Sequence, residues 1–164
     1  MKINQTLNKR TIYQQADSWY VLDKEFQWDV STLKQTVFQC MDEEIHTPIV
    51  FCDSCEANKI VSELGEEEAE YLQLASGIYW REVGIIFIFR FDDYLPLLET
   101  IFHELRHVMQ ENIPEFKDRF EVDKHLPYEQ RLIEKDAFHF AKQTLKRYKY
   151  SHENLKKRAS KQAI

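Results

Sequence analysis

The chain reads as an α+β protein in which a small sheet packs against two long helices. Apolar residues recur at helical spacing over 97–110 and again over 128–148, whereas Ile85-Ile86-Phe87-Ile88-Phe89 is a short β-branched and aromatic run of strand type. A chain of 164 residues with 43% hydrophobic side chains has enough apolar material for one core. No internal repeat and no Gly/Ser/Pro-rich linker divides it, so a single domain over residues 1–164 is expected.

In chain order, a strand is expected near Trp19–Asp23, a helix from Ser31 to about Ile45, and a strand near Ile49–Cys52. Residues 56–74 have a helical pattern that Gly65 breaks, and strand-like segments follow at Ile78–Glu82 and Ile85–Phe91. In the first long helix Leu98, Ile101, Phe102, Leu105, Val108 and Met109 follow the i, i+3, i+4, i+7 rule of a buried stripe. At about 100° per residue all six fall within roughly 60° of Leu105. Asp92, Asp93 and Pro96 mark the start of that helix, and neither Gly nor Pro interrupts it before Ile113. The second helix, Tyr128–Tyr148, follows the breaker Pro127. Ile133, Ala137, Phe138, Phe140, Ala141, Leu145 and Tyr148 give it a broad apolar face, roughly 160° wide.

The chemistry lies on the first of these helices. His103-Glu104-Leu105-Arg106-His107 is an H-E-x-x-H sequence. Imidazoles four residues apart share one helix face and can meet a single Zn²⁺, with the intervening Glu104 placed as general base toward a water at the metal. Here the histidine pair points about 160° from the core stripe at the standard helical rotation. Two solvated histidines are the plainer reading, but their spacing and the glutamate directly after the first favour a metal. The extended H-E-x-x-H-x-x-G-x-x-H form is absent, since Gln110 and Ile113 replace its glycine and third histidine.

A third ligand must therefore come from elsewhere. On the second helix Glu134 falls inside the apolar face, between Ala141 and Leu145, while Arg131, Lys135, Lys142 and Lys146 fall outside it. A carboxylate among apolar neighbours is costly unless it is paired or bound to a metal. Glu134 is the expected ligand. Asp136, at the edge of the same face, is the alternative; His125 and His139 are less well placed. A Glu134 that turns out to solvent or pairs with an arginine is the reading without a metal.

H-E-L-R-H followed by E-K-D-A-F-H-F-A (Glu134 to Ala141) resembles the ImmA/IrrE-type zincins, small metallopeptidase-like domains of bacteria, plasmids and phages. Their pattern pairs an H-E-x-x-H helix with a later E-x-E-A-N-x-F-A helix. Glu134, Ala137, Phe140 and Ala141 match it, and Asp136 is a conservative match. Phe138 stands in place of the usual Asn and Arg106 where the family often has Gly. The resemblance covers about Gly84 to Leu145 and implies a zincin-like fold of gluzincin type. It also implies a strand at the sheet edge above the metal, and Ile85–Phe89 is the candidate for adding an extended substrate peptide. The unbroken apolar character of that run fits a strand buried on both faces at least equally well.

The expected function is a zinc-dependent metallopeptidase-like protein that hydrolyses peptide bonds in an intracellular protein substrate. One Zn²⁺ per chain is held by His103, His107 and Glu134, with Glu104 catalytic and Tyr128 and His125 as candidate donors to the developing oxyanion. The alternatives are a non-catalytic zinc-containing binding or regulatory protein and a nucleic-acid-associated protein. The last rests on charge: the net is −6, yet residues 142–164 hold eight Lys/Arg against Glu153 alone, leaving residues 1–141 with 14 basic and 27 acidic side chains. The acidic body opposes phosphate binding, and cations suit the end of a solvated helix.

Lys2, Lys9 and Arg10 open the chain without an apolar h-region, and the longest strongly apolar run is too short to span a bilayer. A soluble cytoplasmic protein without membrane association is expected. Cys40, Cys52 and Cys55 fit a reducing compartment. Cys52-Asp53-Ser54-Cys55 is a C-x-x-C without a second half, and two ordinary cysteines at a strand end are the favoured reading because a structural zinc site takes four ligands.

Overall fold

In the structure, a computed structural model, residues 2–70 and 72–162 are described, Lys161 and Gln162 through their backbone alone. Tyr71 within the 56–74 segment, and Ala163 and Ile164 at the end of the basic tail, lie outside the described residues. Among these residues the strands are β1 (Gln14–Ala16), β2 (Trp19–Val21), β3 (Ile49–Phe51), β4 (Gly77–Trp80) and β5 (Ile85–Ile88). The helices are α1 (Lys2–Asn8), α2 (Val30–Cys40), α3 (Ser54–Glu63), α4 (Tyr94–Gln110), α5 (Arg119–Asp123) and α6 (Leu132–Gln162). The class is α+β, with one mixed sheet in the order β1-β2-β3-β5-β4.

Strands β2, β3 and β5 run parallel and form the centre, while β1 and β4 pair antiparallel at the two edges. Alternation along the strands divides the core. Trp19, Val21, Ile49, Phe51, Ile86 and Ile88 face α2, α4 and α6; Tyr20, Val50, Ile85 and Phe87 face α1 and α3. All four residues of β5 are fully buried, so the run Ile85–Ile88 is a central strand covered on both faces. The sheet edge beside α4 belongs to β4, which corrects the edge role considered for Ile85–Phe89.

Local chemistry explains several boundaries. Asp29 caps α2 by accepting the Thr32 N–H at 2.9 Å, and the helix stops at Cys40 rather than near Ile45. The next residues include Asp42, Glu43 and Glu44, and negative charge is unfavourable at a helix C-terminus. Asp53 caps α3 in the same way. That helix ends in a Schellman arrangement: Gly65 has φ +90°, its N–H reaches Ser62 O at 3.0 Å, and Glu66 N–H reaches Val61 O at 3.1 Å. Among the described residues beyond Gly65, a short 3₁₀ turn at Leu72–Leu74 is what remains of the helical pattern.

Helix α6 starts later and runs longer than its sequence pattern predicts. Pro127 is followed by a 3₁₀ turn at Tyr128–Gln130 and an extended Arg131. The helix begins where the fully buried Asp123 of α5 accepts the Ile133 N–H at 3.0 Å. A carboxylate there satisfies an unpaired donor and opposes the helix dipole. Replacing Asp123 with Ala is expected to lower stability by about 0.5–2 kcal/mol, the usual range for a lost N-cap, read as a fall in the thermal midpoint. At the other end no Gly or Pro follows Tyr148, and the Lys- and Arg-rich sequence continues the helix, almost entirely exposed from Lys149 to Ser160, as the solvated end expected of the basic tail.

Candidate metal centre

Leu97, Leu98, Ile101, Phe102 and Leu105 fix α4 on the sheet, all fully buried. The opposite face presents His103 and His107, and α6 packs over it, so both histidines are buried as well. From α6, Ile133, Ala137, Ala141 and Leu145 enter the same interface and carry Glu134 in with them. His107 Nε2 lies 2.6 Å from Glu134 Oε1, and His103 Nε2 lies 3.4 Å from Glu134 Oε2. One ligand atom from each of the three residues falls within 4.8 Å of the others; among the described residues this is the single buried cluster of metal-ligating side chains.

The electrostatics of the trio are those of a site built around charge. Burial works against an ionised Glu134, yet the facing imidazoles of His103 and His107 hold its carboxyl well below the ordinary range. Burial likewise works against a charged His107, but Glu134 and Glu104 outweigh it and raise its pKa to about 9. Glu134 Oε2 has no hydrogen-bond partner among the described residues although it is buried. An unpartnered buried carboxylate oxygen is expensive, and a cation between it and the two Nε2 atoms removes that cost. Two imidazoles and one carboxylate fit Zn²⁺ with a position left open.

Glu104 stands beside the trio. Its Oε2 accepts the Tyr79 N–H of β4 at 2.8 Å, and burial raises its pKa. Strand β4 comes this close because residue 77 is glycine: a Cβ there would lie 2.9 Å from Thr100 Cγ2 on α4 and 3.0 Å from the Phe87 carbonyl oxygen. The Tyr79 hydroxyl donates to Glu111 Oε1 at 2.8 Å, tying the strand to the end of α4. Gly77, Tyr79, His103, Glu104, Glu134 and Phe138 all line one cleft of about 940 Å³.

The remaining candidates separate clearly. Asp136 is outside the trio: its carboxylate receives Arg106 Nε at 2.7 Å and Gln110 Nε2 at 2.8 Å. Tyr128 lines the cleft, and burial together with the nearby Glu134 carboxylate raises the pKa of its hydroxyl. His125 is exposed and is not among the residues that line the cleft, which leaves Tyr128 as the candidate oxyanion donor. Phe138, counted in the apolar face of α6, instead lies in the cleft, half exposed, its ring 4.5 Å from that of His103. His139 is exposed on α6. Cys52 is buried, with burial pushing its thiol pKa far up, and Cys55 is exposed; the two belong to no metal-ligating group among the described residues.

Gln110 and the backbone of Tyr79 are site components that the motif does not announce. For Gln110 a signal existed: it lies three residues after His107, so its carboxamide can reach that imidazole on the same helix face. The Tyr79 N–H had none, because only the docking of β4 on α4 brings it to Glu104.

Fold and site together describe an α+β protein with a buried His-His-Glu cluster and a neighbouring glutamate at an open cleft. The chain belongs to the family described as a protein of unknown function, DUF3920, whose model matches residues 21–152 and so spans the whole cluster. No curated protein and no solved structure matches it.

Proposed function

We propose that this protein is a zinc-dependent metallopeptidase-like protein of zincin type that hydrolyses peptide bonds in an intracellular protein substrate. The observation that carries this reading is the placement of Glu104 against the buried His103-His107-Glu134 set in a cleft bordered by an edge strand. His103 and His107 offer their Nε2 atoms and Glu134 its carboxylate to one Zn²⁺. When bound, the ion supplies Lewis acidity toward water and a substrate carbonyl.

Glu104 is held by Tyr79 N–H through one carboxylate oxygen, and the other takes the proton of the attacking water. Burial makes this carboxylate more basic than an exposed one, which suits proton abstraction near neutral pH. The same proton then goes to the leaving amine nitrogen. Tyr128 O–H donates to the carbonyl oxygen as negative charge grows there. An extended substrate segment lies along the outer edge of β4 and pairs with backbone groups there other than the Tyr79 N–H, which stays with Glu104. The likeness of the two helices to the ImmA/IrrE-type pattern supports the same reading.

Metal removal tests it. A chelator is expected to abolish cleavage of unfolded protein and peptide substrates, and stoichiometric Zn²⁺ to restore it. Cleavage that persists through dialysis against chelator would remove the metallopeptidase reading.

A further inference from the structure

We propose that Gln110 is a positioning residue that fixes the tautomer of His107, with its own orientation dictated by α6. This role rests on the metal-site reading and on the hydrogen-bonding capacity of one carboxamide. Gln110 is fully buried. Its Nε2 donates to the Ile133 carbonyl oxygen at 2.8 Å and to Asp136 Oδ2 at 2.8 Å. Both partners are acceptors only, so both amide hydrogens are committed and the amide cannot be flipped without setting its oxygen against two other oxygens. Gln110 Oε1 is therefore the atom turned to His107, and it lies 2.9 Å from His107 Nδ1. A carboxamide oxygen accepts and does not donate, so Nδ1 must carry the hydrogen. In the neutral ring that metal binding requires, this places the lone pair on Nε2, the atom facing Glu134.

The chain of dependence extends one step further out. Asp136 is held on its other side by Arg106 through Nε at 2.7 Å and Nη2 at 3.2 Å, and the Arg106 guanidinium lies 4.8 Å from the centre of the Phe140 ring. Arg106 and Gln110 come from α4; Asp136 and the Ile133 carbonyl come from the first turns of α6. The network thus ties the tautomer of one ligand to the docking of the helix that brings in Glu134. Partners of this kind orient metal-binding histidines and raise ligand basicity.

The test is Gln110→Met, which keeps the side-chain volume and removes every hydrogen bond. Zinc affinity by competitive chelation is expected to fall about 10–100-fold, the usual effect of losing such a partner, with the circular-dichroism spectrum retained. Nitrogen-15 spectra of the zinc-loaded wild type should show His107 protonated at Nδ1 and metallated at Nε2, its Nδ1 proton protected from exchange. In Gln110→Met that protection should vanish for His107 and not for other histidines. Unchanged affinity in the variant, or zinc on His107 Nδ1, would overturn the proposal. If the wild type takes up no zinc, the metal reading fails and spectra of the metal-free protein, taken at a pH high enough to leave the His107 ring neutral, decide: a protected Nδ1 proton lost in Gln110→Met upholds the tautomer assignment, and an unprotonated Nδ1 contradicts it.

Discussion

Glu104→Gln is expected to abolish hydrolysis while leaving zinc content and thermal stability almost unchanged. The substitution keeps the shape of the side chain, and its amide oxygen can still accept the Tyr79 N–H. What it loses is the ability to take a proton. A general base contributes at least ~10²-fold to a rate, so wild type and variant should differ by that factor or more on a panel of unfolded and peptide substrates. Equal cleavage by both would point to a contaminating protease or to chemistry that does not use Glu104. No cleavage by either, with zinc present, would instead favour a zinc-containing binding or regulatory protein.

The second large effect separates two carboxylates on one helix. Glu134→Ala removes a ligand and leaves the histidine pair alone, so zinc binding by competitive chelation should fall much further than in Asp136→Ala. For Asp136, which reaches His107 only through Gln110, a loss of about 10–100-fold is expected. The opposite ranking would mean that α6 is rotated relative to α4 in solution, with Asp136 turned toward the histidines.

The parts of this site that were legible in the sequence are those fixed within one helix. Helical periodicity alone places Leu98, Ile101, Phe102 and Leu105 on one side of α4 and the histidine pair on the other, and burial follows that division. Glu134 was legible for a related reason: a carboxylate inside an apolar face needs a charged partner. Asp136, two residues on, belongs to the same helix, yet its partners Arg106 and Gln110 lie on α4 and emerge only from the way the helices cross.

Docking also decided what the sequence left open. The apolar run at Ile85–Ile88 suits a central strand or an edge strand, and the partly exposed Gly77–Trp80 is the one left at the edge. The start of α6 is set from outside the helix, by Asp123 of α5, a short element with little periodicity of its own. Phe138 reads as core because apolar residues usually are; its place at the cleft depends on α6 overhanging His103.

The most direct test of the central claim is the metal content of the purified chain, measured by elemental analysis after preparation without chelator. One zinc per chain is predicted, released by His103→Ala or His107→Ala, since either leaves only two of the three ligands. A protein that contains no transition metal and takes up none on titration, or one that keeps its zinc after His103→Ala, would contradict the account.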